Sequence, residues 1–127
     1  MDFSNYLANK LISATVRNTS YPAPRNVYLA LYKTDPTKNN NGIEVTGASY
    51  TRPEVTFTVP ADGVSQNSAL VTYAVATTNW GEVGWVGVMD SEEGGNLLYF
   101  TELENAKNIL TGDQLKFKPT EITLTLT

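Results

Sequence analysis

The sequence predicts a mainly β fold, a single antiparallel sandwich with one amphipathic helix at its N-terminal end, and three observations carry that prediction. From about residue 26 onward apolar residues recur at every second position in short runs, the period of strands with one face inward. Clusters of Gly, Pro, Asn and Asp separate these runs, as turns do. Before residue 18 the apolar spacing is three and four instead, which is the helical period.

The helix comes first, over about residues 3–17. Phe3, Tyr6, Leu7, Lys10, Leu11 and Ala14 fall on one of its faces, Ser4 suits the N-cap, and Arg17 and Asn18 suit the C-terminal end. Its polar face is not basic, so it is expected to plug one end or side of a sheet rather than lie on a membrane. Tyr21-Pro22-Ala23-Pro24 follows as a stiff extended connector.

Strands begin at Asn26–Lys33, where Val27, Leu29 and Leu31 alternate with Tyr28, Ala30 and Tyr32. Both faces are apolar, which predicts a central strand. Residues 35–42 (Asp-Pro-Thr-Lys-Asn-Asn-Asn-Gly) read as a long exposed loop. A strand over Glu54–Val59 is expected to point Val55, Phe57 and Val59 inward, and Pro60-Ala61-Asp62-Gly63 turns the chain. Another runs over Ser68–Ala74.

Val83–Met89 reads as a buried strand whose glycines mark close approach of a neighbour. The loop Asp90–Asn96 then leads back into Leu97–Phe100 as a hairpin. After a turn at Thr111-Gly112-Asp113, Gln114–Phe117 and Thr120–Thr127 are expected as a final pair of strands. In the last of these Ile122, Leu124 and Leu126 share one face, and Glu121, Thr123, Thr125 and Thr127 the other. Six to eight short strands after one helix fit a β-sandwich of immunoglobulin-like or jelly-roll-like type, in one domain spanning 1–127.

Composition narrows the function. With 127 residues the chain is long enough to bury a core without disulfides. Only 17% of residues are charged, with Thr, Asn, Ser and Tyr in their place, which suits sheet surfaces and extended protein contacts. The net charge is −4 and the nine basic residues are scattered, so there is no basic stripe for nucleic acid. No apolar run reaches the length of a membrane span and no targeting segment is evident, so the expectation is a protein made in a cytoplasm without a membrane partner.

The chain has neither Cys nor His, which removes thiol chemistry, imidazole bases and Cys/His zinc sites. Carboxylates are the remaining candidates. Asp90, Glu92 and Glu93 share one Gly-rich loop, but their spacing is not that of an EF-hand loop, and a solvated turn is expected. Glu102 and Glu104 have the spacing of two carboxylates on one strand face, with nothing to indicate a sugar cleft between them. Gly81, Gly84, Gly87 and Gly94-Gly95 lack the Gly-Lys-Ser/Thr ending of a phosphate loop. Trp80, Trp85 and Tyr99 have the makings of a sugar-binding platform, yet are expected to anchor the core. The expectation is a non-enzyme with no catalytic, cofactor-binding or metal-binding residues.

Several segments together resemble a family. Val27-Tyr28-Leu29-Ala30-Leu31-Tyr32-Lys33-Thr34-Asp35-Pro36-Thr37, then Glu44-Val45-Thr46-Gly47 with Ser49-Tyr50-Thr51-Arg52, are similar to segments of small proteins encoded in tailed-bacteriophage structural modules. So are Asn67-Ser68-Ala69, Asn79-Trp80-Gly81-Glu82-Val83, Gly87-Val88-Met89-Asp90, Gly94-Gly95-Asn96-Leu97-Leu98-Tyr99, Asn108–Asp113 and the Thr-rich end. The resemblance is in register over nearly the whole chain; it departs at Pro53-Glu54 and at Trp85.

It implies a virion component. Such proteins often carry tail-fibre names, and similar small β-sandwiches decorate capsids. One compact domain, without a coiled coil or a repeat array, leans toward decoration. The expectation is therefore a capsid decoration (cement) protein that binds the major capsid protein lattice and stabilises the head as a dimer or trimer. The N-terminal helix and the Thr-rich last strand are the expected contact elements. The alternative is a tail-fibre or baseplate component that meets a host-surface glycan through Trp80, Trp85 or exposed tyrosines.

Overall fold

The structure, a computed structural model, describes residues 1–126. Thr127, assigned above to the outer face of the last strand, lies outside the described residues. The architecture is mainly β and sandwich-like with an N-terminal helix, as the sequence predicts.

A two-residue strand β1 (Asp2–Phe3) precedes the helix α1 (Asn5–Val16), so Phe3 is in a strand rather than on the helix. Ser4 caps the helix: its Oγ accepts from Leu7 N at 3.1 Å. Asn18 closes it in the left-handed region at φ 51°, while Thr19 N and Arg17 N both donate to Ser13 O. Only Leu7 is buried; Ile12 and Val16 are 59% and 75% exposed, so the helix lies along β7 without being enclosed. No described helix is long and apolar enough to cross a membrane.

The remaining strands are β2 (Val27–Tyr32), β3 (Glu54–Val55), β4 (Val64–Gln66), β5 (Val71–Thr72), β6 (Gly81–Met89), β7 (Leu97–Ile109), β8 (Lys116–Phe117) and β9 (Thr123–Thr125). Five form an antiparallel sheet in the order β1-β7-β6-β2-β3, which makes β2 internal as its two apolar faces require. β4–β9 and β5–β8 are separate antiparallel ribbons. The last two strands therefore do not pair with each other: each reaches back to an earlier strand, because the turn at Lys118–Glu121 redirects the chain between the ribbons.

The main core includes Leu29, Leu31, Val86 and Val88 from one face of the five-stranded sheet, and Val71, Tyr73, Leu115, Phe117 and Ile122 from the ribbons and their flanks. Trp80 is fully buried among them, edge-on to Tyr50 and Tyr73. On the opposite face Ala30, Tyr32, Met89, Leu97 and Phe100 make a second, smaller cluster with Trp85 against it. Gly87 is required here, since a Cβ would come within 2.6 Å of Leu97; at Gly84 nothing approaches, contrary to the expectation for that glycine. Val59 is also corrected. After Val55 the chain leaves β2 and bonds to the 65–68 segment instead (Thr58 N to Gln66 O, Ser68 N to Thr56 O), so this ribbon runs past the core and Val59 is 90% exposed.

Two polar assemblies tie the loops to this frame. Arg52 reaches Glu44 with Nε and Nη2, both at 2.8 Å, and its Nη1 donates to the carbonyls of Ser91 and Gly94 in the β6–β7 loop. Tyr50 Oη donates to Glu44 Oε2 at 2.6 Å and accepts from Leu31 N. Burial, and then the bond to Glu44, hold the Tyr50 phenol well above its ordinary range, and burial beside Glu44 pushes Tyr32 up to about 12. At the other end, fully buried Asn67 donates from Nδ2 to Ala69 O and Lys118 O and accepts at Oδ1 from Ile122 N.

Candidate contact surface along the β7 edge

Strand β7 outruns its partners. On one side β1 pairs only with Tyr99 and Phe100. On the other, Glu102 faces Trp85 and Lys107 faces Val83, so residues 103–106 of β7 oppose the single residue Gly84 of β6. Four residues against one make this a special bulge, in which 103–106 leave the ladder, and the open space at Gly84 accommodates it. Apart from the ladders with β1 and β6, residues 101–108 make no backbone hydrogen bond to another described element. The outer edge of β7 thus presents unpaired N–H and C=O groups.

Beside that edge runs a groove of about 510 Å3. Val86, Leu103, Phe117 and Ile122 supply its apolar lining, and Met1 lies at it. Glu102, Glu104, Glu121 and Lys107 also line it. An open strand edge next to an apolar floor is what an extended chain needs for strand addition. The bulge and the charges also restrain indiscriminate pairing, so the edge is selective rather than generally adhesive.

The residues singled out in the sequence fall as follows. Glu102 and Glu104 do come together, on this groove. Asp90 is spent on its own loop: its carboxylate accepts from Asn96 N and Nδ2 at 2.7 and 3.0 Å. Glu92 and Glu93 are exposed beside the Arg52–Glu44 pair, and among the described residues no group of three or more His, Cys, Asp or Glu converges as metal ligands do. Trp80 anchors the core as expected, so the sugar-platform reading loses it. Trp85 and Tyr99 are half-buried, and none of the seven tyrosines is fully exposed, which removes the exposed tyrosines that reading needed.

Of the expected contact elements, the helix keeps Ile12 and Val16 open, while the last strand is held on one edge by β4. The β7 edge was not legible as a surface. Its run Glu-Leu-Glu-Asn-Ala-Lys lacks alternation, and the groove arises from a bulge that only the pairing with β6 defines.

The family model described as Podophage GP4 fiber I protein gp80 matches residues 2–125. No curated protein matches the chain. Because the match runs from β1 through β9, and so takes in both layers of the sandwich and the β7 groove, the chain belongs to this family of phage virion structural proteins of the fibre type.

Proposed function

We propose that this protein is a fibre subunit of the virion, made in the host cytoplasm, that works through protein–protein contact and catalyses no reaction. The family match over residues 2–125 carries this reading, and it favours the fibre over the decoration of the capsid expected from the sequence. The open β7 edge supports it physically: a compact domain builds length by joining neighbours, and an unpaired strand edge is a means of joining. The absence of His and Cys from the sequence supports the non-enzymatic part.

Decoration of the major capsid protein stands as the second reading. The observation in its favour is that the described chain has one short helix and no shaft-forming segment. Phage lacking this protein separates the two. Intact, heat-resistant heads with missing fibre density and poor adsorption support the fibre. Heads that leak DNA on warming while fibres remain overturn it.

A further inference from the structure

We propose that the pocket where the start of α1, the 35–42 loop and the β6–β7 loop meet binds a neutral saccharide. The inference goes beyond the fibre reading and stands on the chemistry of the pocket, not on where the protein sits in the particle.

Asparagines from all three elements line this pocket of about 300 Å3: Asn5 from the helix, Asn39 and Asn40 from the 35–42 loop, and Asn96 from the β6–β7 loop. Each spends one half of its side-chain amide inside the protein. Asn5 Nδ2 donates to Asn39 Oδ1 at 2.8 Å, and buried Tyr32 Oη donates to Asn40 Oδ1 at 2.7 Å. Asn96 Nδ2 donates to Asp90 Oδ2 at 3.0 Å. The other halves have no hydrogen-bond partner among the described residues: Nδ2 of Asn39 and Asn40, and Oδ1 of Asn5 and Asn96. The internal bonds fix which way each amide faces, so two oriented donors stand with two oriented acceptors.

The supports are tied to one another. Asn5 N donates to Lys38 O and Ser4 N to Leu98 O, both at 2.9 Å, which joins the helix to the loop and to β7. Asn40 sits in the left-handed region at φ 53°. Gly95 has φ 74°, and a Cβ there would stand 2.5 Å from Asp90 Oδ1, so the turn that presents Asn96 needs glycine. Amides held this way give up little freedom when a ligand arrives.

The ligand class follows from what is offered. Sugar hydroxyls donate and accept at once and stand on adjacent carbons, which suits donors and acceptors mixed at close range. The C–H face of a sugar ring suits Tyr6 and Leu97, which also line the pocket. No acid lines it, and its one cation, Lys38, has its Nζ bonded to Phe3 O at 3.2 Å, so the pocket is not built around charge. An extended peptide needs a row of backbone partners along one strand edge, whereas these amides come from three separate elements. The volume lies at the low end for small-molecule sites, as a short saccharide requires.

Titrating the full chain with neutral oligosaccharides, while following its amide signals by NMR, tests this. The panel is oligomers of glucose, galactose, mannose, rhamnose and N-acetylglucosamine. At least one is expected to shift the side-chain amides of Asn39 and Asn40, saturably, with a millimolar dissociation constant that salt leaves unchanged. Asn39→Asp/Asn40→Asp keeps both internal acceptors and removes both free donors. It should weaken binding about tenfold or more while the backbone spectrum keeps its folded dispersion. Asn39→Asp alone, at an exposed position, serves if the pair fails to fold. Silence of all four asparagine side chains toward every sugar at about 50 mM overturns the proposal. So does binding that survives these changes, or a response to inorganic phosphate alone that salt erases, which would make the pocket an anion site. The fibre reading is untouched by any of these results, since it is decided by where the protein lies on the virion.

Discussion

Arg52 grips Glu44 in a two-bond fork, Nε to Oε2 and Nη2 to Oε1, with Arg52 itself only 8% exposed. The same guanidinium holds the Ser91 and Gly94 carbonyls, so one side chain ties the segment before β3 to the β6–β7 loop. Replacing Arg52 by Ala leaves the Glu44 charge and two carbonyls without their donor. The expected loss is about 3 kcal/mol, a melting point lower by roughly 10 °C. Arg52→Lys should recover only part of this, because an ammonium cannot fork. Thermal denaturation followed by circular dichroism checks both.

Asn67 satisfies three backbone groups from a fully buried position. Asn67→Ala should cost about 3 kcal/mol or more, since Ala69 O, Lys118 O and Ile122 N all lose their partner in the interior. Asn67→Asp should be no milder: it keeps the acceptor, but it replaces two donors by a buried charge. Urea midpoints for the two variants measure this.

Gly47 sits against the indole of Trp80, where a Cβ would stand 2.8 Å from both Cδ1 and Nε1. Trp80 is fully buried and hemmed by Tyr50 and Tyr73, so it has nowhere to yield. Gly47→Ala should therefore destabilise by about 1–3 kcal/mol despite the exposure of the loop. An unchanged melting point would contradict the close packing.

Alkaline pH acts through the buried phenols. Tyr32, Tyr50 and Tyr73 all hold their protons more tightly folded than unfolded, chiefly through burial. Their contribution is fully present below the unfolded value near 10, and it falls as pH rises through the folded value, about 12 for Tyr32. Stability should be level with respect to these groups up to about pH 10 and then decline. Phenolate absorbance from these three should lag behind that of free tyrosine, appearing near pH 10 only where the fold is lost.

Much of the fold was legible where the signal is local. Ser4 and Asn18 mark the helix ends by their side-chain and backbone preferences, and Val27–Tyr32 declares a central strand by being apolar on both faces. The resembling segments turn out to hold structural residues. Asn79 Oδ1 accepts from Thr111 N, Asp35 Oδ1 from Thr37 N, and Gly81 has φ 85°.

What escaped is set by pairing between distant segments. Two residues of β1 are too few to show a period, and the partners of β8 and β9 lie some 45 to 60 positions back. Strand β7 continues to Ile109 through a polar run that reads as a strand end, because its register with β6 breaks at Gly84. The contact groove follows from that break, so no local pattern announces it.

The central claim is that this chain is a fibre component, and immunogold electron microscopy of intact virions tests it most directly. An antibody against the folded protein should label the fibres and leave the head surface bare. Label spread over the head, with fibres unmarked, would contradict the account and return the protein to the capsid.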